Sequence, residues 1–329
     1  PPGAALHHVS TEPRPSSRVA IVLGGGVREA LMAQPVLRAC DGATVFTSAD
    51  AVGTLLGLSS VGRAFVFDDS PRELLRVFRR LRAGSVETVV VPFPASFLHV
   101  ALAYFAGVPR RLVAAGPSRW VATERVPAVK GMHPVEANWR LAAVASNRPV
   151  LTPGEAPSLR PPDAVRTQAM ARWPAFIGSG RRPLVLIPGG GGWSSRRSGP
   201  RWPAERFAVV ANQSIAERIV LLSGAGDAHI IRETQGSIAK PTMVINLAQI
   251  TVDEVAVLCE LSLGVIGHDG DALHVAAAAG ALVLAVLRGP DIPPRGDRVV
   301  TFATTDFNRF PARQVVEALS KQARIDSYA

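Results

Sequence analysis

Short apolar runs, each closed by glycine or a turn residue and followed by a segment with helical spacing, recur along the chain in two series. In the first series RVAIVLGG (18–25), ATVFTS (43–48), AFVFDD (64–69), ETVVVPFP (87–94) and RRLVAAG (110–116) read as strands. REALMAQPVLRAC (28–40), a short segment after residue 48, PRELLRVFRRLRA (71–83) and ASFLHVALAYFAG (95–107) read as the helices between them. Continuous apolar strands alternating with helices imply a parallel sheet covered on both faces.

Between about residues 143 and 183 the composition shifts to proline, serine and glycine, as a linker requires. The alternation then restarts with PLVLIPGG (183–190), RIVLLSG (218–224), TMVINL (242–247), LGVIGHD (263–269) and ALVLAVLRG (281–289) as strands. The intervening helices are PAERFAVVANQSIA (203–216), TVDEVAVLCELS (251–262) and DALHVAAAAG (271–280). The expected fold class is therefore α/β, with two tandem Rossmann-like domains facing across a cleft. Residues 1–17 read as a disordered leader, 18–150 as the first domain, and 151–182 as a hinge. Residues 183–310 read as the second domain, and 311–329 as a C-terminal helix packing back on the first. Ligands bind at the carboxyl ends of strands in such sheets.

Composition narrows the function. A hydrophobic fraction of 47% with 19% charged residues is ordinary globular composition. The longest apolar stretch, 275–287, is too short for a bilayer span, which takes about 20 residues. Cys40 and Cys259 stand far apart in apolar helical patterns and read as buried thiols, which suits a cytoplasmic protein. The net charge is +10, but only three of the 36 basic residues are lysine, the usage of a GC-rich genome. No arginine run alternates with aromatics, so nucleic acid is not an expected partner. A phosphorylated ligand, or peripheral contact with an anionic membrane, suits the charge. A monomer is expected.

Three constellations carry chemistry. In HDGDALHVAAAAG (268–280), Asp269 or Asp271 can cap a helix. Alternatively, Gly270 lets a phosphate approach the helix N-terminus. His274 lies one turn further in. The DGD triplet is too short a match to read as a metal site. In PGGGGWSSRRSGPRWPAERF (188–207), Gly189, Gly190 and Gly191 free the backbone to wrap a ligand. Ser194, Arg197 and Arg201 add donors that fit phosphate oxygens, though the loop is not a Walker motif. In GGGVREALMAQP (24–35), Gly25 and Gly26 end the first strand. Glu29 opens the first helix, complementing its dipole or serving as a general base.

At these places together the chain resembles glycosyltransferase family 9, the heptosyltransferase-like enzymes with the two-lobed GT-B fold. EALMAQPVLRA (29–39), HPVEANWRLAAV (133–144), PGGGG with RWPAERFAVVA (188–211), LSGAGD (222–227) and HDGDALHVAAAAG (268–280) fall in the family's order. The resemblance implies that Glu29 stands in the place of the catalytic aspartate. Asp227 matches an acid that holds the nucleoside ribose, and Ile250 an apolar residue that packs on the base. Asp269, Gly270 and His274 match a motif whose helix N-terminus cradles a diphosphate. The chain departs from the family at Asp271, where a glycine is usual, and at Gly270, where a hydroxyl is usual. Pro200 stands where a phosphate-facing lysine is usual, a role Arg196, Arg197 or Arg201 can take. These departures point to an altered donor, an unusual acceptor or lost activity.

The resemblance implies metal-free transfer of a sugar, such as a heptose, with inversion, from a nucleoside diphosphate donor resembling ADP-heptose and with no other cofactor. The acceptor, a glycan, a lipid-linked molecule or a small molecule, is expected near 92–96 and 116–125. Pro94, Arg119 and Trp120 are the candidate contacts, with simple packing the alternative for Trp120. Two other readings stand beside the transferase: a non-catalytic relative that binds nucleotide sugars as a sensor or partner, and a two-lobed nucleotide-sugar epimerase.

Overall fold

The computed structural model describes residues 18–56, 58, 60–114, 120–129, 131–146, 154–177, 182–190, 192–193, 200–289 and 291–328. The chain divides into two compact units, residues 1–155 and 156–329.

In the first unit the order is β1 (Val19–Val22), α1 (Val27–Met32), α2 (Gln34–Ala39), β2 (Ala43–Thr47), α3 (Val52–Leu56) and β3 (Val61–Val66). It continues with α4 (Pro71–Ala83), β4 (Thr88–Val91), α5 (Phe97–Phe105), β5 (Arg110–Ala114), β6 (Glu124–Val126) and α6 (Pro134–Ser146). The six strands are all parallel, in the order β3-β2-β1-β4-β5-β6. Ile21 of the central β1 pairs with Val45 on one side and Val90 on the other. One face of the sheet is packed by α2 and α6, through Val36, Leu37 and Leu141. The other is packed by α4 and α5, through Val77, Leu81, Val100 and Ala103. Strands buried on both faces must be apolar throughout, which is why β1 and β4 were legible as continuous runs.

The second unit opens with α7 (Asp163–Arg172) and α8 (Pro174–Ile177), then β7 (Leu184–Ile187), α9 (Ala204–Gln213), β8 (Ile219–Ser223) and α10 (Ala228–Gly236). After β9 (Thr242–Asn246) come α11 (Val252–Glu260), β10 (Gly264–Gly267), α12 (Asp271–Ala278), β11 (Val283–Arg288), β12 (Val299–Thr304) and α13 (Ala312–Tyr328). The strands are again parallel, in the order β12-β11-β10-β7-β8-β9, which repeats the first sheet's topology. Both are the Rossmann order, with the chain reversing direction between β1 and β4 and between β7 and β10.

Several expectations are corrected. REALMAQPVLRAC is two helices, not one, parted at Ala33. Pro35 has no N–H to donate, and its ring crowds the carbonyl four residues back. Within the expected hinge, Asp163–Arg172 and Pro174–Ile177 are helical and belong to the second unit. Arg166 of α7 pairs with Glu260 at 2.7 Å, and Arg172 with the buried Glu254 at 2.7 Å, both on α11. The C-terminal helix buries Val315 and Leu319 in the second unit's core. The edge strands β6 and β12 and the helix α10 went unread in the sequence. An edge strand is covered less completely than a central one, and β12 (VVTFAT) is interrupted by threonine and only half-buried or exposed along its length.

Candidate active site

In the first unit, β1 delivers Gly24, Gly25 and Gly26 to the start of α1 at the point where the strand order reverses. Gly26 is the N-cap and has no side chain to satisfy the exposed N–H groups of the first turn. Glu29 reaches back instead, its Oε2 accepting from the Gly26 N–H at 3.1 Å. Its Oε1 accepts from Arg28, at 2.9 Å from Nη2 and 3.2 Å from Nε. Donors at both oxygens hold the carboxylate in one orientation. Gly25 permits this, because a Cβ there would lie 2.3 Å from the Glu29 Cγ.

Glu29 lines a small hollow with Gly24, Gly25, Pro92, Phe93, Pro94 and His99, floored by Val22 and Val91 of the two central strands. His99 is buried, and its Nε2 lies 2.9 Å from the Asp69 carboxylate. A Cβ on Gly24 would strike its ring at 1.8 Å. Phe93–Pro94 is a cis peptide. The fully buried Asn138 of α6 holds this segment at both ends. Its Oδ1 accepts from the Phe93 N–H at 2.7 Å, while its Nδ2 donates to Phe93 O at 3.1 Å and to Met32 O at 3.0 Å.

The second unit repeats the device. β7 runs into Gly189 and Gly190 beside β10, which leads into Asp269, Gly270 and α12. Gly190 has φ +99°, which favours glycine, and its carbonyl oxygen would lie 1.2 Å from a Cβ on Gly270. The two loops therefore cross backbone to backbone. Gly270 is the N-cap of α12, so neither Asp269 nor Asp271 takes that position. Asp271 is the first helical residue and is buried. His274 is also buried, with its Nε2 3.5 Å from the Asp269 carboxylate.

Asp227 sits beneath this crossing, and a Cβ on Gly189 would lie 1.8 Å from its Cγ. Its Oδ2 accepts from the Gly224 N–H at 2.9 Å, and its Oδ1 from Arg201 at 3.2 Å. Ile250 is buried just before α11, its carbonyl accepting from the Trp193 indole at 3.2 Å. Trp202 and Phe207 of RWPAERF are core residues with ring centroids 4.8 Å apart, and the Trp202 indole donates to Phe310 O at 3.1 Å.

The structure thus gathers Gly25, Gly26, Glu29 and Pro94 in the first unit. It gathers Gly189, Gly190, Arg201, Asp227, Asp269, Gly270, Asp271 and His274 around the switch point of the second. Gly191, Ser194, Arg197 and Arg119 lie outside the described residues. Trp120 is 88% exposed and does not line the Glu29 hollow, so simple packing is not its role. Sequence reasoning missed His99, Asn138 and Trp193, each of which acts on a loop distant in the chain.

Two sheets in Rossmann order, each with a glycine-rich loop at its switch point, define a class of α/β proteins that bind ligands at the carboxyl ends of their strands. Comparison with known proteins narrows the class. The model of glycosyltransferase family 9 (heptosyltransferase) matches residues 74–301. The fold is similar to that of the family 9 glycosyl transferase from Veillonella parvula DSM 2008, at 16% identity and TM-score 0.75, covering 93% of this chain and 96% of that one. It is similar to E. coli ADP-heptose lps heptosyltransferase II at 20% identity and TM-score 0.72, covering 94% and 99%. It is also similar to E. coli heptosyltransferase WaaC with ADP-2-deoxy-2-fluoro heptose, at 15% identity and TM-score 0.69, covering 92% and 99%. No curated protein matches by sequence. The chain belongs to glycosyltransferase family 9 and is a glycosyltransferase with the α/β fold of the GT-B kind.

Proposed function

We propose that the enzyme moves a sugar of the heptose type from an ADP-linked donor to an acceptor hydroxyl, inverting the anomeric carbon and using no metal. The observation that carries this is the setting of Glu29: a carboxylate fixed at the mouth of the first sheet, in a hollow with room beside it. Glu29 takes the acceptor proton as the hydroxyl oxygen bonds to the anomeric carbon. The bond from that carbon to the diphosphate breaks, and its electron pair leaves with the nucleoside diphosphate. The first turn of α12 and Arg201 stabilise the charge that develops on the leaving group. Asp227 holds Arg201 and the glycine loops in place, its two oxygens accepting from Arg201 and from the Gly224 N–H. The structural neighbour WaaC was captured with an ADP-heptose analogue, which supports the choice of donor. The acceptor is a glycan, lipid-linked or small molecule, taken beside Pro94.

Thermal unfolding against a panel of nucleoside diphosphates and their sugars, paired with a Glu29→Gln variant, tests both halves. ADP compounds are expected to raise the melting temperature of wild type and variant alike. Turnover of the variant should fall by about 10²–10⁴-fold. Normal turnover in Glu29→Gln overturns the base assignment, and no stabilisation by any nucleotide overturns the donor assignment.

A further inference from the structure

The helix α5 carries apolar residues on every side, FLHVALAYF, yet only His99, Val100, Ala101 and Ala103 are buried, Val100 and Ala103 against the sheet and α4. Phe97, Leu98, Tyr104 and Phe105 face outward at 51, 42, 47 and 71% exposure. Their spacing of one, seven and eight residues puts them on one stripe. A helix that is hydrophobic all round belongs in a core or in lipid, and an outer stripe of this kind marks an interaction surface. Arg111 links the stripe to the β5–β6 loop: it lies 5.3 Å from the Tyr104 ring centroid and donates to Val121 O at 2.5 Å, and the adjoining Trp120 is 88% exposed.

The neighbouring helix supplies charge. α4 packs alongside α5 on the same sheet face, and Asp69, just before α4, bonds His99 in the first turn of α5. Along PRELLRVFRRLRA five arginines (72, 76, 79, 80 and 82) stand against one glutamate, and all five are exposed beside the protruding Leu75. Aromatic rings project from one helix and guanidinium groups from the next, where Arg76 pairs with Glu73 at 2.6 Å and Arg80 lies over the Phe65 ring. Trp and Tyr settle at the headgroup level of a bilayer, and arginine stems extend along apolar surface with their charge in the polar layer.

We infer that the outer faces of α4 and α5, with Trp120, form a docking surface for an anionic lipid bilayer. This builds on the proposed function in one respect: it brings the enzyme to the place where a lipid-linked acceptor would lie. Protruding rings separated by arginines suit a fluid partner that moves around each side chain, and the net positive charge of the face selects an anionic one.

Co-sedimentation of the full chain tests this, using vesicles of phosphatidylcholine alone or with about one-third phosphatidylglycerol. The protein is expected to pellet with the anionic vesicles only, and less so at high salt. Phe97→Ser/Phe105→Ser should weaken partitioning by about tenfold or more, and Arg72→Glu/Arg79→Glu by about fivefold per arginine. Both variants should keep the wild-type melting temperature and nucleotide stabilisation, which separates loss of docking from loss of fold. Failure of the donor assignment would leave the vesicle result untouched. Equal pelleting of wild type and the phenylalanine variant, or no pelleting at all, overturns the inference. So does a dimer in light scattering that the same substitutions dissociate, because it assigns the face to a second copy.

Discussion

Gly270 and Asn138 show how much of the site rests on single side chains, or on their absence. At Gly270 the constraint is space, since its backbone is extended and acceptable to any residue, yet a Cβ would penetrate the Gly190 carbonyl. Gly270→Ala is therefore expected to push the two loops apart, at a cost of about 1–3 kcal/mol typical of overpacking. Loss of nucleotide stabilisation at an otherwise cooperative unfolding transition would confirm it. A variant that binds nucleotides like wild type would show that the crossing is not part of the donor site. At Asn138 the constraint is the reverse, a polar group that cannot be spared. A buried amide making three bonds has no neutral substitute, and it ties Phe93 to the end of α1. Glu29 combines the two, because it needs both an empty Gly25 and a donor at Gly26.

At the scale of elements, the second unit is organised by α11. Thr251 caps it, accepting from the Glu254 N–H at 3.2 Å, while Glu254 accepts from the Thr251 N–H at 2.8 Å. The same carboxylate holds Arg172 of α7, so one capping box fixes both a helix start and its neighbour. Replacing Thr251 with Ala should destabilise the protein by about 1 kcal/mol, read as a lower urea midpoint at unchanged slope. An unchanged midpoint would mean the helix start is held by packing alone. TVDE has the capping-box pattern, and the helix expected over 251–262 begins at Val252 with Thr251 as its cap. The break at Ala33 was equally visible in Pro35, but a helix pattern continued across it and masked the proline's effect.

At the scale of the molecule, the two sheets bury thiols that their chemistry makes inert. Burial pushes Cys40 up to about 11 and Cys259 up to about 12. Both values lie above the ordinary 9.0, so the unfolded chain ionises first as pH rises. The stability these thiols contribute is complete below about pH 9 and declines above it, as the unfolded state sheds protons first. Iodoacetamide at about pH 8 should label neither thiol until denaturant is added. Fast labelling of the native protein would refute the burial.

Sequence alone determined the repeated βα alternation, the parallel class of both sheets and the glycine-rich strand ends. Each of these is written in contiguous residues whose hydrophobic period or backbone freedom is local. It also put Glu29 just after the first strand and Gly270 at the start of a helix, as the structure does. Tertiary structure alone decided that Asp227 grips Arg201 across 26 residues and that His99 meets Asp69 across 30. It likewise decided that Asn138 clamps segments 45 and 106 residues away. It also decided which side of α5 is left uncovered, since a helix with no polar face carries no local sign of where its neighbours end. Pairings between residues distant in the chain depend on which strands lie side by side, and hydrophobic spacing within one segment does not encode that order.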